Sequence, residues 1–386
     1  MRKTYKISLI AGATMLVMGF AGSAMAFHGG GVAHCDGCHS MHSSADNPRV
    51  GSPTSADLMK GSDASSTCLN CHSGSAGSYH IATANGGTMS QGGDFFWVKT
   101  DYSYSNGRGG VVTSVGESHG HNIVAADYQF IADGTNATAP GGTMLSGTLG
   151  CTSCHDPHGQ VAGGTDAGSA AISVSGSYGA ADPVDGSIHG NYRLLGDDGY
   201  NLITSAAPVA RANGSSGVRV QYGTGMSDWC LSCHSAFADN VNMHPTDIPV
   251  PMATYNGYVK TGDFTGVVAT AYDELVPFER GVDDGSLLAD VATAAYTVGV
   301  EDANDVITCL TCHRAHGSAF ENGLRWDPTT ELIAESGILK TDGTGNVGAL
   351  MAAGAKPYYA NGAAVDVAVK YGDHQRSLCN KCHAKD

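Results

Sequence analysis

The sequence predicts a chain of mostly irregular coil, with short α-helices and few short strands, wrapped around something other than its own side chains. Three observations predict this. Glycine takes 54 of the 386 residues, about twice its usual share. Aromatic residues number only 28 (3 Trp, 16 Tyr and 9 Phe), thin for the two or three ordinary domains that roughly 100–200 residues per domain would suggest. Finally, all twelve cysteines fall into six short motifs, each closed by a histidine.

The first element in chain order is a leader. Arg2, Lys3 and Lys6 precede the apolar run ISLIAGATMLVMGFAG, which closes on Ala24-Met25-Ala26. That is the three-part layout of a secretory signal rather than of a membrane anchor. It predicts a signal peptide over 1–26 and one continuous domain over 27–386, with no internal boundary. No later stretch reaches the ~18 apolar residues of a spanning helix, so the mature chain carries no transmembrane segment. Losing three basic residues and no acidic ones leaves 17 Lys+Arg against 36 Asp+Glu, a formal charge of −19. Such a surface excludes nucleic acid, whose phosphates need a basic face.

An exported chain with an even cysteine count would ordinarily be read as disulfide-bonded, but the spacing here says otherwise. The motifs are CDGCH (Cys35, Cys38, His39), CLNCH (Cys68, Cys71, His72), CTSCH (Cys151, Cys154, His155), CLSCH (Cys230, Cys233, His234), CLTCH (Cys309, Cys312, His313) and CNKCH (Cys379, Cys382, His383). Cys-x-x-Cys-His is the attachment signature of c-type haem. Two thiols add across the two vinyl groups of one porphyrin, and the next residue turns its imidazole to the iron. Zinc ribbons pair two CxxC units and give the following histidine no role. Thioredoxin-like pairs have no reason to recur six times. The sequence therefore predicts six covalently bound haem c groups, which also accounts for the missing aromatics. The first cysteines are spaced 33, 83, 79, 79 and 70 residues apart with no accompanying repeat, so the chain is not a solenoid.

Each iron needs a sixth ligand or an open position. Eleven histidines remain, and Met41, Met59, Met89, Met144, Met226, Met243, Met252 and Met351 are available as well. Methionine ligation would raise the potentials; the histidine surplus favours six His/His sites. His42, His158 and His316 each lie three residues after a motif histidine, on the same side of any continuing helix. Two imidazoles side by side cannot bind opposite faces of one iron, so each of these three should serve a haem other than its neighbour. His80, His121 and His244, in weakly polar loops, complete the distal set. His34, His119, His189 and His374 have polar or Gly-rich neighbours and read as solvent-facing. His28, two residues into the mature chain, stays in reserve.

Between the motifs, short helices are expected at the motifs themselves and over GSLLADVATAAY (285–296) and TTELIAESGILK (329–340). Short strands or hairpin arms are expected over GGDFFWVKTDYSYS (92–105) and VRVQYG (218–223). Gly-Gly, Asn-Gly and Asp-Pro punctuate nearly every interval.

The blocks FHGGGVAHCDGCHSMH, SSTCLNCH, GGDFFWVK, GHNIVAADY, CTSCHDPHG, YGTGMSDWC, CLTCHRAHGSAF and LCNKCHAKD run from end to end of the mature chain. In that order they resemble the extracellular, filament-forming hexahaem c-type cytochromes of Geobacter-type metal-reducing bacteria. The resemblance implies bis-histidine haems and a head-to-tail homopolymer, with His42 ligating the haem on Cys309/Cys312 of the neighbouring protomer. It matches His28, His80, His121, His158, His244 and His316 by local sequence, which with His42 makes seven candidates for six places. It also implies a secreted protein at the outer cell surface, facing extracellular acceptors and upstream outer-membrane cytochromes. The linkers between the fourth, fifth and sixth motifs are shorter here, and no histidine between His244 and His313 can donate.

Nothing in the sequence points to an enzyme. All six proximal residues are histidine, and no nicotinamide, flavin or activated-nucleophile motif stands out. The expected function is electron conduction, haem to haem, over a secreted conductive filament to insoluble Fe(III) or Mn oxides or to partner cells. The alternatives are a monomeric periplasmic or outer-surface carrier and, less well supported, a multihaem reductase.

Overall fold

A computed structural model describes residues 35–39, 58–75, 80–86, 90–105, 111–157, 195–212, 220–238, 244–283, 288, 297–326, 359–360, 363–365, 367–372 and 377–384. Coil dominates them, as expected. The short helices Cys35–Cys38, Ala64–His72, Cys151–Cys154, Met226–Leu231, Cys309–Cys312 and Asn380–His383 each carry all or part of one cysteine motif. Helices Met252–Gly257 and Val367–Tyr371 lie between motifs. Among the described residues no helix is long and apolar enough to cross a membrane.

The motif residues themselves explain why the helices form. In CTSCH and CLTCH the residue before the second cysteine is a hydroxyl that reaches back to the helix start. Ser153 Oγ accepts from the Gly150 N–H at 3.0 Å, and Thr311 Oγ1 from the Thr308 N–H at 3.0 Å. Such a bond satisfies an N–H that the helix leaves without a partner. The longest helix among the described residues, Ala64–His72, is capped by Asp63, whose carboxylate accepts from the Ser66 N–H at 2.6 Å.

Among the described residues the strands form three two-stranded antiparallel ribbons: Tyr102–Ser105 with Val111–Ser114, Ala210–Ala212 with Val220–Tyr222, and Tyr359–Ala360 with Ala363–Ala364. The strand expected over 218–223 is present as Val220–Tyr222, 218–219 lying outside the described residues. That over 92–105 is present only as its last four residues, Tyr102–Ser105. Asp94 accepts from the N–H groups of Thr83 (3.0 Å) and Phe96 (2.9 Å), an Asx turn that sends the chain into the 3₁₀ turn Trp97–Lys99 instead of a strand. The helices expected over 285–296 and 329–340 lie outside the described residues, Leu288 apart.

Side-chain packing is divided rather than absent. The largest cluster gathers Trp97, Tyr255, Tyr258, Leu275, Phe278, Phe320 and Tyr371 with smaller residues. A second holds Leu69, Phe95, Val98, Ile123 and Phe130, and a third Val220, Tyr222, Met226 and Leu310. Three glycines bring distant segments together beside the second cluster. Gly317 bridges both Gly93 and Gly120, and a Cβ on Gly93 (φ +87°) would stand 1.9 Å from the Gly317 carbonyl oxygen. Only glycine tolerates that approach and that φ.

Candidate functional site

The six motifs follow one another in space as they do in sequence. Cys68 lies near Cys38 and Cys151, and Cys230 near Cys309. Cys154 neighbours Cys233, and Cys312 neighbours Cys382. Consecutive motifs therefore meet by their first cysteines (second with third, fourth with fifth) and by their second cysteines (third with fourth, fifth with sixth).

Three of the histidines expected as distal ligands stand opposite a motif histidine. Ring centres are 6.3 Å apart for His155 and His316, 6.0 Å for His234 and His121, and 6.0 Å for His383 and His244. A metal–imidazole bond of about 2.0–2.1 Å, with the ring centre about 1.1 Å behind the nitrogen, puts two imidazoles on opposite faces of one metal about 6.3 Å apart. The spacing fits an iron between each pair. The partners are distant in sequence: His316 follows the fifth motif, His121 lies between the second and third, and His244 follows the fourth.

Hydrogen bonds also set the tautomer of three of the histidines. His121 Nδ1 lies 2.6 Å from the Ala315 carbonyl oxygen, His234 Nδ1 2.8 Å from that of Pro140, and His313 Nδ1 2.8 Å from that of Asn322. A carbonyl can only accept, so Nδ1 carries the proton and Nε2 keeps its lone pair. Burial lowers the pKa of His121 and His313 and brings His316 down to about 3, which keeps these rings neutral, as a metal ligand must be. Backbone bonds tie His121 and His316 together: the His121 N–H donates to the His316 carbonyl at 3.0 Å, and the His316 N–H to that of Gly92 at 2.8 Å.

The other expected ligands are placed less completely. His80 packs against Gly74, two residues past His72. His42 and His158 lie outside the described residues, as do His28, His34, His189, His374 and the stretch 1–26 expected to be a leader. His119 is not solvent-facing: it is fully buried, with Nδ1 3.0 Å from the Trp97 carbonyl oxygen and Nε2 2.7 Å from Ser114 Oγ. With Nδ1 donating, Nε2 accepts from the serine and has no lone pair to spare. Of the methionines, Met226 is buried in the third cluster, and Met144 sits 4.0 Å, sulfur to sulfur, from Cys233.

Sequence reasoning missed a buried cation. Arg325 is fully buried; its Nε donates to the Leu310 carbonyl at 2.6 Å and its Nη1 to Gln91 Oε1 at 2.6 Å. Its Nη2 finds no hydrogen-bond partner, and no carboxylate among the described residues pairs with it. A buried guanidinium calls for an anion, and a porphyrin brings two propionates. A lone arginine twelve residues past a motif histidine carries no sequence signal of this.

A coil that sets its Cys-x-x-Cys-His helices in file, and stands other imidazoles across from their histidines, is organised for porphyrins: the chain is a multihaem c-type cytochrome, a protein of electron transfer. No family model matches it. It is 39% identical, over 444 aligned positions covering the full length of both, to the C-type cytochrome OmcS of Geobacter sulfurreducens, and it belongs to that cytochrome's family. Two solved structures are similar in fold. The Outer Membrane Cytochrome S filament from Geobacter sulfurreducens has a TM-score of 0.71 at 36% identity, and the cryo-EM structure of the OmcS nanowires from the same organism 0.72 at 37%. Each covers 93% of this chain and 100% of its own.

Proposed function

We propose that this chain is a secreted hexahaem cytochrome that polymerises head to tail and conducts electrons along the filament to acceptors outside the cell. The single observation that carries the reading is the set of three histidine pairs at 6.0–6.3 Å, taken with the adjacency of successive motifs. Bound haem supplies a one-electron iron couple. The chain's residues do the rest. The twelve cysteines would hold six porphyrins, and His39, His72, His155, His234, His313 and His383 would each supply an imidazole to an iron. His316 completes the site of His155, His121 that of His234, and His244 that of His383. His39, His72 and His313 draw on His42, His80 and His158, with His28 in reserve.

Where two imidazoles would hold each iron, no coordination position would be open to a substrate, and the chain would relay electrons rather than transform a molecule. Arg325 offers its open guanidinium edge to a propionate. The relatives whose structures are described as a filament and as nanowires support assembly, and His42 is the residue proposed to cross the junction, onto the neighbour's haem at Cys309/Cys312. The test is His42→Ala in the exported protein. Electron microscopy should show filaments replaced by single subunits, with one haem in six turning high-spin. Filaments that persist with every haem low-spin would overturn the bridging role.

A further inference from the structure

Glu279 is a fully buried carboxyl that no lysine or arginine of the described residues pairs with. Its backbone is bridged to Tyr222 on one side and Val306 on the other. Its oxygens accept from the N–H groups of Gly225 and Met226, both at 3.0 Å, where the helix bearing Cys230 begins. Thr308, the residue before Cys309, faces the same carboxylate and favours its charged form. Cys230 and Cys309 are themselves neighbours. One carboxyl is therefore shared by the first turns of two attachment helices.

Polar side chains lie between it and the surface. Ser227 Oγ donates to Thr308 Oγ1 at 3.2 Å; both residues are buried, and the exposed Asp247 faces Ser227. Asp247, with Asp228 near it, and the sulfurs of Cys230 and Cys309 are the titratable groups that face Glu279 from the packed elements. Arg280, the next residue, is turned to Asp305 at 3.1 Å and Glu301 at 3.6 Å. Burial, helped by Asp247, raises the Glu279 carboxyl to about 7 against the pull of Thr308 and the two N–H groups.

We propose that Glu279 couples proton uptake to electron occupancy at the junction of the Cys230/Cys233 and Cys309/Cys312 motifs, and so sets the pH dependence of reduction there. This rests on the reading that both motifs carry haem. An electron arriving along the chain adds negative charge beside the carboxylate and raises its proton affinity. One carboxylate oxygen of Glu279 then takes one proton from solvent by way of Asp247, Ser227 and Thr308. Reoxidation returns the electron to the chain and the proton to solvent, and no other bond is made or broken.

The test is a spectroelectrochemical titration of the intact haem-loaded protein between about pH 5 and 9, for wild type, Glu279→Gln and Thr308→Val. Gln keeps an oxygen for the two N–H groups and removes the charge. In the wild type, part of the titration curve should move to lower potential as pH rises, by up to 59 mV per tenfold fall in proton concentration for one proton per electron. Glu279→Gln should lose that slope and hold the low-pH potential throughout. Thr308→Val, which carries the test if the first variant does not fold, should move the midpoint of the slope to higher pH. Reduced-minus-oxidised infrared spectra should show a protonated carboxyl in the wild type and lose it in Glu279→Gln. A flat wild-type profile, or a slope unchanged in both variants, overturns the proposal. A merely structural Glu279 would lower the unfolding temperature of the variant and leave the slope. Failure of the underlying haem reading is seen separately, as fewer than six haems per chain by pyridine haemochrome assay.

Discussion

The ring of His316 stands 6.3 Å, centre to centre, from that of His155, although His316 follows the fifth motif and His155 closes the third. Beside it, His121 bonds to the His316 backbone while its own ring faces His234 of the fourth motif. The third, fourth and fifth motifs are thus interlaced by two histidines joined through one hydrogen bond. The proposed relay would be served by this arrangement, which fixes the spacing of the motifs that would carry its cofactors.

Replacing His316 with Ala should convert one haem in six to a high-spin species, read by EPR and absorption of the oxidised protein, and leave the other five low-spin. His316→Met should keep six-coordination and raise one potential.

The junction of Gly93, Gly120 and Gly317 has no room for a side chain. Gly93→Ala puts a Cβ 1.9 Å from a backbone oxygen at φ +87° and should cost about 2–4 kcal/mol, measured by chemical denaturation of the haem-loaded protein. Gly199 also has a positive φ, but a Cβ there would meet no atom within 4 Å, so Gly199→Ala should cost only about 1 kcal/mol.

Acid sensitivity has an identifiable source near the sixth motif. Burial alone would raise the Asp273 carboxyl, but the Lys370 ammonium at 2.7 Å and the Leu275 N–H outweigh it and hold it below the usual range. A depressed folded-state pKa stabilises above the unfolded value of about 3.9 and loses that contribution as pH falls through the folded one. Lys370→Met should destabilise at neutral pH by about 1–3 kcal/mol and shift the acid-unfolding midpoint upward, followed by circular dichroism.

Withholding the cofactor should cost the fold itself. The side-chain clusters are small and separate, so a chain whose twelve cysteines are replaced by Ala should show no cooperative thermal transition. A sharp transition would mean that the clusters suffice without porphyrin.

The attachment motifs are fully legible in the sequence, because their chemistry is local: two thiols and an imidazole within five residues. Legible too is the reason His316 must look away from its own motif, but not that it looks toward His155, which depends on glycine contacts some two hundred residues apart. His119 misleads for a related reason. Its flanks, Glu-Ser-His-Gly-His, read as an exposed loop, whereas Gly116 and Gly120 allow the backbone to close over it. The strand expected from Gly92 onward fails on one side chain, Asp94, whose carboxylate holds the turn. Arg325 and Glu279 leave no trace in the pattern, since burial of a single charge is a property of the assembled fold.

A cryo-EM reconstruction of the secreted, assembled protein tests the central claim most directly. It should show an unbroken file of six porphyrins per subunit, with imidazole on both faces of every iron and His155 and His316 sharing one of them. A haem with a vacant face, or particles that remain lone globules with the file interrupted, would contradict that claim.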